Sequence, residues 1–216
     1  MKPLVLKLSI KNNTNSVVDQ MTFQFKANYF GLKALKPEVE PISKRQEANE
    51  LEIGETIDIT IDIEAQNASS VNAKDAMVYP YSIHTAFKCN IDTFFFKVPI
   101  HINHLLEVRG ELTKIDFKTC WNQSKTTKVY PETAVPSACK NLESFGKLLR
   151  ENNMFVVQKR KSDDETTLYV SCRAANNKLS FLSASFLDNT MEVEVRSEDP
   201  ELLDLLYQGL MFLTNN

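Results

Sequence analysis

The chain has few of the residues that mark specialised protein classes: its 216 residues include four cysteines, five glycines and one tryptophan. Cys89, Cys120, Cys139 and Cys172 lie far apart and form no CxxC pair, which predicts free, mostly buried thiols in a reducing compartment rather than a disulfide framework. None of the glycines forms part of a phosphate-binding loop. The longest apolar runs, such as "TFFFKVPIHI" and "LLDLLYQGLMFL", are too short or too interrupted to span a bilayer.

The chain also lacks a large excess of charge of one sign. Its formal net charge is -3, and charged residues make up 25% of the chain beside 43% hydrophobic residues. That balance is typical of a globular protein with one large domain or two small ones, and it lacks the basic surface of a nucleic-acid-binding protein. The first residues contain no apolar stretch followed by a cleavage site, so we expect no secretory signal.

Residues 1–110 have the pattern of an antiparallel β-sandwich. In "TIDITIDI" (56–63), isoleucine alternates with threonine or aspartate, which places four isoleucines on one face of a strand. Polar turn clusters separate this run from other β-rich runs, so we predict a sandwich of the immunoglobulin-like type. The other predicted strands are 4–10, 21–25, 81–87 and 93–102.

Residues 111–216 have the pattern of an α+β platform, an antiparallel sheet flanked by two helices. The stretch "PSACKNLESFGKLLRENN" has apolar residues at four-three-four spacing and predicts a helix, with Ser137 as its cap. Asp199 and Pro200 suit the start of a second helix near the end of the chain. Strands are predicted at 112–118, 154–160, 167–174, 179–187 and 191–196, with a loop over 122–135.

The sequence has no convergent set of catalytic or metal-binding residues. His101 and His104 lie three apart in a β-rich region, with no metal-ligating carboxylate at a recognised spacing. Cys120 beside Trp121 is conceivable as a nucleophile, but its surroundings match no cysteine-enzyme signature. We therefore expect no catalysis, no cofactor and no metal, and keep a cysteine-dependent enzyme only as the third hypothesis.

An ordered series of motifs resembles the β-adaptin appendage, or ear, of clathrin adaptor complexes. The series is densest in "FKCNIDTFFFKVPIHINHLLEVRGELTKIDFKTCW" (87–121), which resembles the junction of sandwich and platform in that family. Upstream, "FQFKANYFGL" and "IGETIDITIDI" resemble strands of the sandwich. Downstream, "NNMFVVQKR", "TLYVSCR" and "LLYQGLMFLTNN" resemble the platform and its closing helix. No single motif is diagnostic, and the order of the series carries the resemblance across nearly the whole chain.

The resemblance implies a cytoplasmic binding module that is attached through a linker to a larger trunk. It also implies a peripheral location at clathrin-coated membranes, either the plasma membrane or the trans-Golgi and endosomes. In that family the platform groove takes a peptide that becomes helical on binding, with phenylalanine or leucine anchors and often a trailing arginine. A second site on the sandwich takes extended, aromatic-containing motifs and contributes to clathrin recruitment. The implied partners are accessory proteins with Phe-containing motifs, the rest of the adaptor complex, and clathrin.

Five residues take the family's site positions under this resemblance. Trp121 matches the platform tryptophan, Tyr169 the platform tyrosine, and Arg160 a basic residue of the groove. Phe95 falls where the sandwich site has a tyrosine, and Lys88 matches the lysine near that site. The sequence departs from the family in "LSFLSASFL", where serine or alanine replaces a groove glutamate, and the other groove glutamate has no counterpart placed in the 122–135 stretch.

The residue pattern leaves the role of Trp121 open. Trp121 has the same parity as Ile115 and Phe117 in the predicted strand, which would turn its side chain toward the core. The resemblance instead places it in a peptide groove, which a bend or bulge at the strand end would allow. Tyr169 lies on the polar face of its strand under either interpretation. The alternative function is a non-catalytic two-domain scaffold protein without a peptide groove.

Overall fold

The computed structural model describes residues 4–26, 28, 30–36, 50–65, 82–139, 141–162 and 164–215. The chain divides into two compact units, Lys2–Ile100 and His101–Asn216. The division falls earlier than the predicted boundary at residue 110, because the segment after residue 100 packs within the second unit. There the side-chain amide of Asn103 donates a hydrogen bond to the carbonyl of Gly209 (3.0 Å).

The first unit is a two-sheet sandwich. Within the described ranges it has two antiparallel sheets of three strands each, in the orders β1-β4-β3 and β2-β5-β6. Ile57, Ile59 and Ile61 from one sheet and Phe23 and Phe87 from the other meet in a single core cluster, which confirms the predicted alternation. The immunoglobulin-like connectivity stays a prediction, and residue 81 of the predicted strand 81–87 lies outside the described residues. The strands are β1 Leu4–Lys11, β2 Thr22–Phe25, β3 Leu32–Ala34, β4 Thr56–Ala65, β5 Ser82–Lys88 and β6 Thr93–Pro99.

The second unit is an α+β platform. Its described residues form one five-stranded antiparallel sheet, in the order β7-β11-β10-β9-β8, and three α-helices. Four of the five predicted strands and both predicted helices are confirmed. Asp199 caps the last helix as predicted, because its carboxylate accepts a hydrogen bond of 3.2 Å from the backbone N–H of Glu201. The elements are α1 Lys114–Gln123, β7 Thr126–Ala134, α2 Leu142–Glu151, β8 Phe155–Lys161, β9 Glu165–Arg173, β10 Leu179–Leu187, β11 Thr190–Ser197 and α3 Pro200–Asn215.

The strand predicted over "LTKIDFK" is wrong, because most of this stretch belongs to helix α1. The Thr113 hydroxyl accepts a hydrogen bond from the backbone N–H of Asp116 (3.2 Å) and donates one to its carboxylate (2.7 Å), which caps the helix. Residues four apart then share a helix face, so Phe117 and Trp121 lie together while Ile115 is 79% exposed. In so short a stretch the apolar pattern is compatible with a strand or a helix, and the Thr113 cap favours the helix.

Two more predictions in this region are corrected. The loop predicted over 122–135 contains strand β7, which pairs with β11 at the edge of the sheet and buries only Tyr130. A mostly solvent-exposed edge strand of polar residues leaves no clear apolar period in the sequence. Helix α2 begins at Leu142 rather than near Ser137, because Asn141 is its cap and accepts two backbone N–H groups of the first turn (3.0 and 3.2 Å).

The two faces of the platform sheet are covered differently. Helices α2 and α3 pack on one face: Phe145 of α2 lies 6.1 Å from Phe186 between ring centroids, and Tyr207 of α3 stacks on the tyrosine of β7 at 3.8 Å. Helix α1 packs on the opposite face, where its Phe117 meets Phe181 edge-on at 5.3 Å. The single short helix α1 leaves part of that face open.

Helix α3 is fixed by close packing and by a polar contact. Gly209 lies against the short 3-10 helix Ile102–Leu105, and a Cβ at this position would come within 2.6 Å of a side-chain oxygen and overlap an isoleucine there. Asp204 accepts hydrogen bonds from Lys128 Nζ (2.6 Å) and Tyr130 Oη (2.7 Å). The hydrogen bond from Lys128, followed by the one from Tyr130, lowers the pKa of the Asp204 carboxyl.

Candidate functional site

The open part of the sheet face beside α1 forms a trough of about 370 Å³. Directly opposite residues in antiparallel strands share a face, and Ser183 is paired with Tyr169 on one side and Glu194 on the other. Trp121, Tyr169 and Arg160, the three platform residues expected from the sequence, all line this trough. The rest of its described lining is polar and consists of Ser162, Glu165, Thr167, Ser183, Ser185, Glu192, Glu194 and Arg196.

An aromatic corner borders the trough. The rings of Trp121 and Tyr169 meet edge to face, with centroids 5.8 Å apart and an interplanar angle of 84°. Phe117 stacks on Trp121 at 5.4 Å and is itself packed against Phe181. Phe117 and Phe181 are buried, whereas Trp121 and Tyr169 are only partly buried. The two inner rings therefore hold the two outer rings in place, and the outer rings keep surface that faces the trough.

Arg196 of β11 fixes the indole of Trp121 from the sheet. Its guanidinium carbon lies 4.3 Å from the ring centroid, in cation–π range. Its Nε donates to a carboxylate oxygen of Glu194 (2.7 Å), and its Nη1 donates to the carbonyl of Trp121 (3.3 Å). The alternation of "MEVEVR" predicts that Arg196 faces away from the core, but its contact with Trp121 depends on helix α1, which the sequence pattern did not indicate.

The trough carries charges of both signs outside the aromatic corner. Arg160 contributes an exposed cation from β8, while Glu165 and Glu192 contribute carboxylates from β9 and β11. The Thr167 hydroxyl lies 3.0 Å from the Ser185 hydroxyl and donates a hydrogen bond to Glu165 (3.3 Å). The trough therefore offers hydrogen-bonding groups and carboxylates beside its apolar corner.

Strand β10 lacks the groove glutamate of the resembling family, and carboxylates lie on the neighbouring strand β11 instead. The two trough serines of β10, Ser183 and Ser185, occupy the stretch where the resembling family carries a glutamate. Their direct partners across the sheet are Glu194 and Glu192. Sequence reasoning did not assign Glu192 or Glu194 to the site, although the polar face of "MEVEVR" and the pairing of adjacent strands were the signals that point to them.

The two sandwich residues expected from the sequence, Phe95 and Lys88, lie on one sheet face of the first unit. Phe95 is 80% exposed and borders an apolar cleft of about 390 Å³. The register pairs Ala86 with Phe95 and Lys88 with Thr93, so Lys88 is exposed on the same face, one step along the strands. Lys88 is outside the described lining of the cleft, which consists of Gln24, Phe25, Lys26, His84, Thr85, Ala86, Phe95, Phe96 and Lys97.

These surfaces offer aromatic rings, charges and hydrogen-bonding groups. In the part of the chain that the structure describes, no group of three or more His, Cys, Asp or Glu side chains is arranged to hold a metal ion. Burial raises the pKa of Cys139 to about 11 and that of Cys172 to about 12, so both thiols stay protonated near neutral pH. Cys120 on α1 is partly buried.

Comparison with known proteins identifies the second unit. The sequence model of the family described as "Beta2-adaptin appendage, C-terminal sub-domain" matches residues 107–213. This unit belongs to the β-adaptin appendage family. The match spans the five strands of the appendage platform and helix α1, so it includes every residue that lines the trough.

The similarity continues through the first unit. The chain is 21% identical over 221 residues to AP-1 complex subunit beta of Dictyostelium discoideum and 23% identical over 218 residues to AP-1 complex subunit beta-1 of Homo sapiens. Each match covers 98% of the chain and supports a β-adaptin appendage domain over both units. The chain spans about a fifth of these relatives, 22% and 21% of their lengths. Among the described residues, no helix is long and apolar enough to cross a bilayer.

Proposed function

We propose that this appendage is the protein-interaction module of an adaptor-complex β subunit and that its trough binds short linear motifs of accessory proteins during coat assembly. The observation that carries the proposal is the pair of partly exposed rings, Trp121 and Tyr169, beside an open trough. The rest of the adaptor complex, joined through a linker, and clathrin-coated membranes are the expected setting, because AP-1 β subunits are similar to nearly the whole chain.

The shape and composition of the trough suit an amphipathic helix. Helix-in-groove recognition uses a few apolar anchors on one helix face, and tryptophan and tyrosine give such anchors flat apolar area with little side-chain entropy to lose. A disordered peptide loses entropy when it folds on binding, so a single motif should bind with a dissociation constant on the order of micromolar. Several motifs in one tail would raise the avidity while leaving each contact reversible.

The charges of the trough favour a basic residue beyond the aromatic anchors. Glu194 already pairs with Arg196 (2.7 Å), but Glu192 is exposed on the same face of β11. A peptide arginine would therefore meet the carboxylate of Glu192 rather than a glutamate of β10. Arg160 would favour a carboxylate elsewhere in the same peptide.

The cleft beside Phe95 is the second proposed binding site. Its apolar lining and the 80% exposure of Phe95 support binding of an extended, aromatic-containing motif. A contribution of this site to clathrin recruitment is proposed from the family resemblance. The missing phenolic hydroxyl at this position leaves an apolar contact in place of a hydrogen bond. Lys88 would act as a charge at the margin of this site.

A labelled-peptide titration separates this function from the scaffold alternative. The probe is a fluorescein-labelled peptide with two phenylalanine anchors on one helical face and a trailing arginine, and its anisotropy is measured with wild type, Trp121→Ala, Tyr169→Ala and the control Ile115→Ala. Ile115 lies on the same helix as Trp121 but is 79% exposed. We expect micromolar binding that falls more than tenfold in the two site variants and is unchanged in the control, with folding retained in all. Absent binding to the wild type, or unfolding of Trp121→Ala, would favour the scaffold.

A further inference from the structure

The outer face of the sheet β2-β5-β6 carries a regular pattern of side chains around Phe95. Phe23 and Phe87 of this sheet are buried in the core, so residues of the opposite parity form the outer face. The cross-strand register arranges these residues in three successive rows. The rows are Thr22, Lys88 and Thr93; then Gln24, Ala86 and Phe95; then Lys26, His84 and Lys97.

The middle row provides a place for an apolar anchor. Phe95 lies 80% exposed on β6, and its partner on the central strand is Ala86, whose side chain is a single methyl group. A guest ring can therefore lie over Ala86 and against the side of the Phe95 ring. The apolar cleft of about 390 Å³ has both residues in its lining.

Both flanking rows carry cations. Lys26 and Lys88 are exposed and form no ion pair with any residue in the described ranges. Lys97 is exposed in the same row as Lys26, on the other side of His84. The described lining of the cleft contains no aspartate or glutamate. Asp92, in the turn before β6, accepts a hydrogen bond from the backbone N–H of Thr93 (2.7 Å). The face thus presents an apolar row between two positively charged rows.

We propose that this face binds an extended acidic peptide in which an aromatic residue stands between two carboxylates, in the order acid-x-aromatic-x-acid. This inference rests on the sandwich site of the proposed function. Neighbouring rows are two residues apart along the strands, about 6.8 Å. Alternate side chains of an extended peptide have the same spacing and point the same way. An aromatic residue held against Phe95 therefore brings acids two positions before and after it over the lysine rows.

The spacing distinguishes this ligand from other acidic partners. Acids directly next to the aromatic residue would point away from the sheet and gain only weak, screened attraction. A lipid surface is a poorer fit, because patches that bind anionic lipids cluster about four to eight basic residues. The described rows of this face carry three lysines, Lys26, Lys88 and Lys97.

The test compares two short peptides of identical composition in a serine and glycine background. One carries aspartate two positions before and two positions after a single phenylalanine, and its isomer carries the aspartates directly beside the phenylalanine. The full chain is titrated with each fluorescein-labelled peptide as wild type, Phe95→Ser, Lys26→Glu/Lys88→Glu, and the charge-matched control Lys7→Glu/Lys11→Glu. Lys7 and Lys11 are exposed on β1, in the other sheet.

We expect the first peptide to bind the wild type about three- to tenfold more tightly than its isomer, which corresponds to two exposed ion pairs. Phe95→Ser should remove the binding. The double reversal should shift the preference to a peptide with lysines in place of the aspartates, and the control Lys7→Glu/Lys11→Glu should behave as wild type. Equal binding of the two isomers would overturn this inference while leaving a sandwich site. Binding of neither peptide, or binding only of phosphatidylserine-containing vesicles titrated in parallel, would overturn both the inference and that site. Loss of the platform function appears only in the separate Trp121 titration.

Discussion

Replacing the two rings of α1 one at a time should separate a structural residue from a binding residue on a single helix. Phe117 is 7% exposed, and its ring centroid lies 5.3 Å from Phe181, 5.4 Å from Trp121 and 6.0 Å from Tyr169. Phe117→Ala would leave a cavity between α1 and the sheet. Substitutions of this kind lower the free energy of unfolding by about 3–5 kcal/mol.

Trp121→Ala should cost less, because the indole is only partly buried and the space it leaves opens into the trough. The loss combines partial burial, about 1–1.5 kcal/mol, with the cation–π contact to Arg196, about 0.5–1 kcal/mol. The difference between the two variants is therefore about 0.5–3.5 kcal/mol. Ile115→Ala, at a 79% exposed position, should change stability by no more than about 0.5 kcal/mol.

Urea unfolding followed by far-UV circular dichroism measures all three variants on the same scale. Tryptophan emission of the Phe117→Ala and Ile115→Ala chains reports in addition on the platform, because Trp121 is the only tryptophan. An equal or larger loss for Trp121→Ala than for Phe117→Ala would refute the reasoning, since the indole would then be part of the core.

Other parts of the platform give further predictions. Gly209→Ala should destabilise the protein by about 1–3 kcal/mol through overpacking. Gly146→Ala in α2, whose new Cβ would lie 3.9 Å from a valine methyl, should stabilise it by about 0.5–1 kcal/mol. Urea unfolding in which both variants change the free energy of unfolding in the same direction would contradict the packing. The pKa of Asp204 is lowered in the folded chain. The ionised carboxylate therefore contributes its full stabilisation above the pKa of an unfolded aspartate, about 4, and this stabilisation is lost as the pH falls through the pKa of the folded state. Asp204→Asn should therefore reduce stability at pH 7 and flatten the acid limb of the stability curve, and an unchanged limb would argue against the role of this carboxylate. Ellman's reagent should react rapidly with Cys120 alone, because the other three thiols are buried, and a fast phase that survives Cys120→Ser would show otherwise.

The elements with a regular apolar period were predictable from the sequence. Strand β4 alternates buried isoleucines with exposed polar residues, and β11 alternates buried methionine and valine with exposed or half-buried glutamate from Met191 to Val195. Helix α3 combines a cap at Asp199 with an apolar face that buries Leu202 and Leu206. In each case the period and the boundary signals agree, so a single element satisfies both.

Helix α1 and strand β7 were not predictable in the same way, because each buries little. Phe117 is the only buried residue of α1, and Tyr130 the only one of β7. A single buried side chain does not show whether apolar residues recur at helical or strand spacing. The chance alternation of apolar residues therefore favoured a strand, despite the helix cap at Thr113. The same gap explains why the role of Arg196 was missed, because its contact with Trp121 exists only where α1 lies against this face of the sheet.

The emission of Trp121 during a peptide titration tests most directly whether its indole touches the ligand. With a peptide that carries phenylalanine anchors, we predict a saturable blue shift of the wild-type emission, with a midpoint on the order of micromolar, as the anchor removes water from the exposed side of the ring. The same peptide with serine in place of the phenylalanines should cause no shift. An emission spectrum that stays constant while anisotropy shows the phenylalanine peptide to be bound would contradict a binding site at Trp121 and Tyr169.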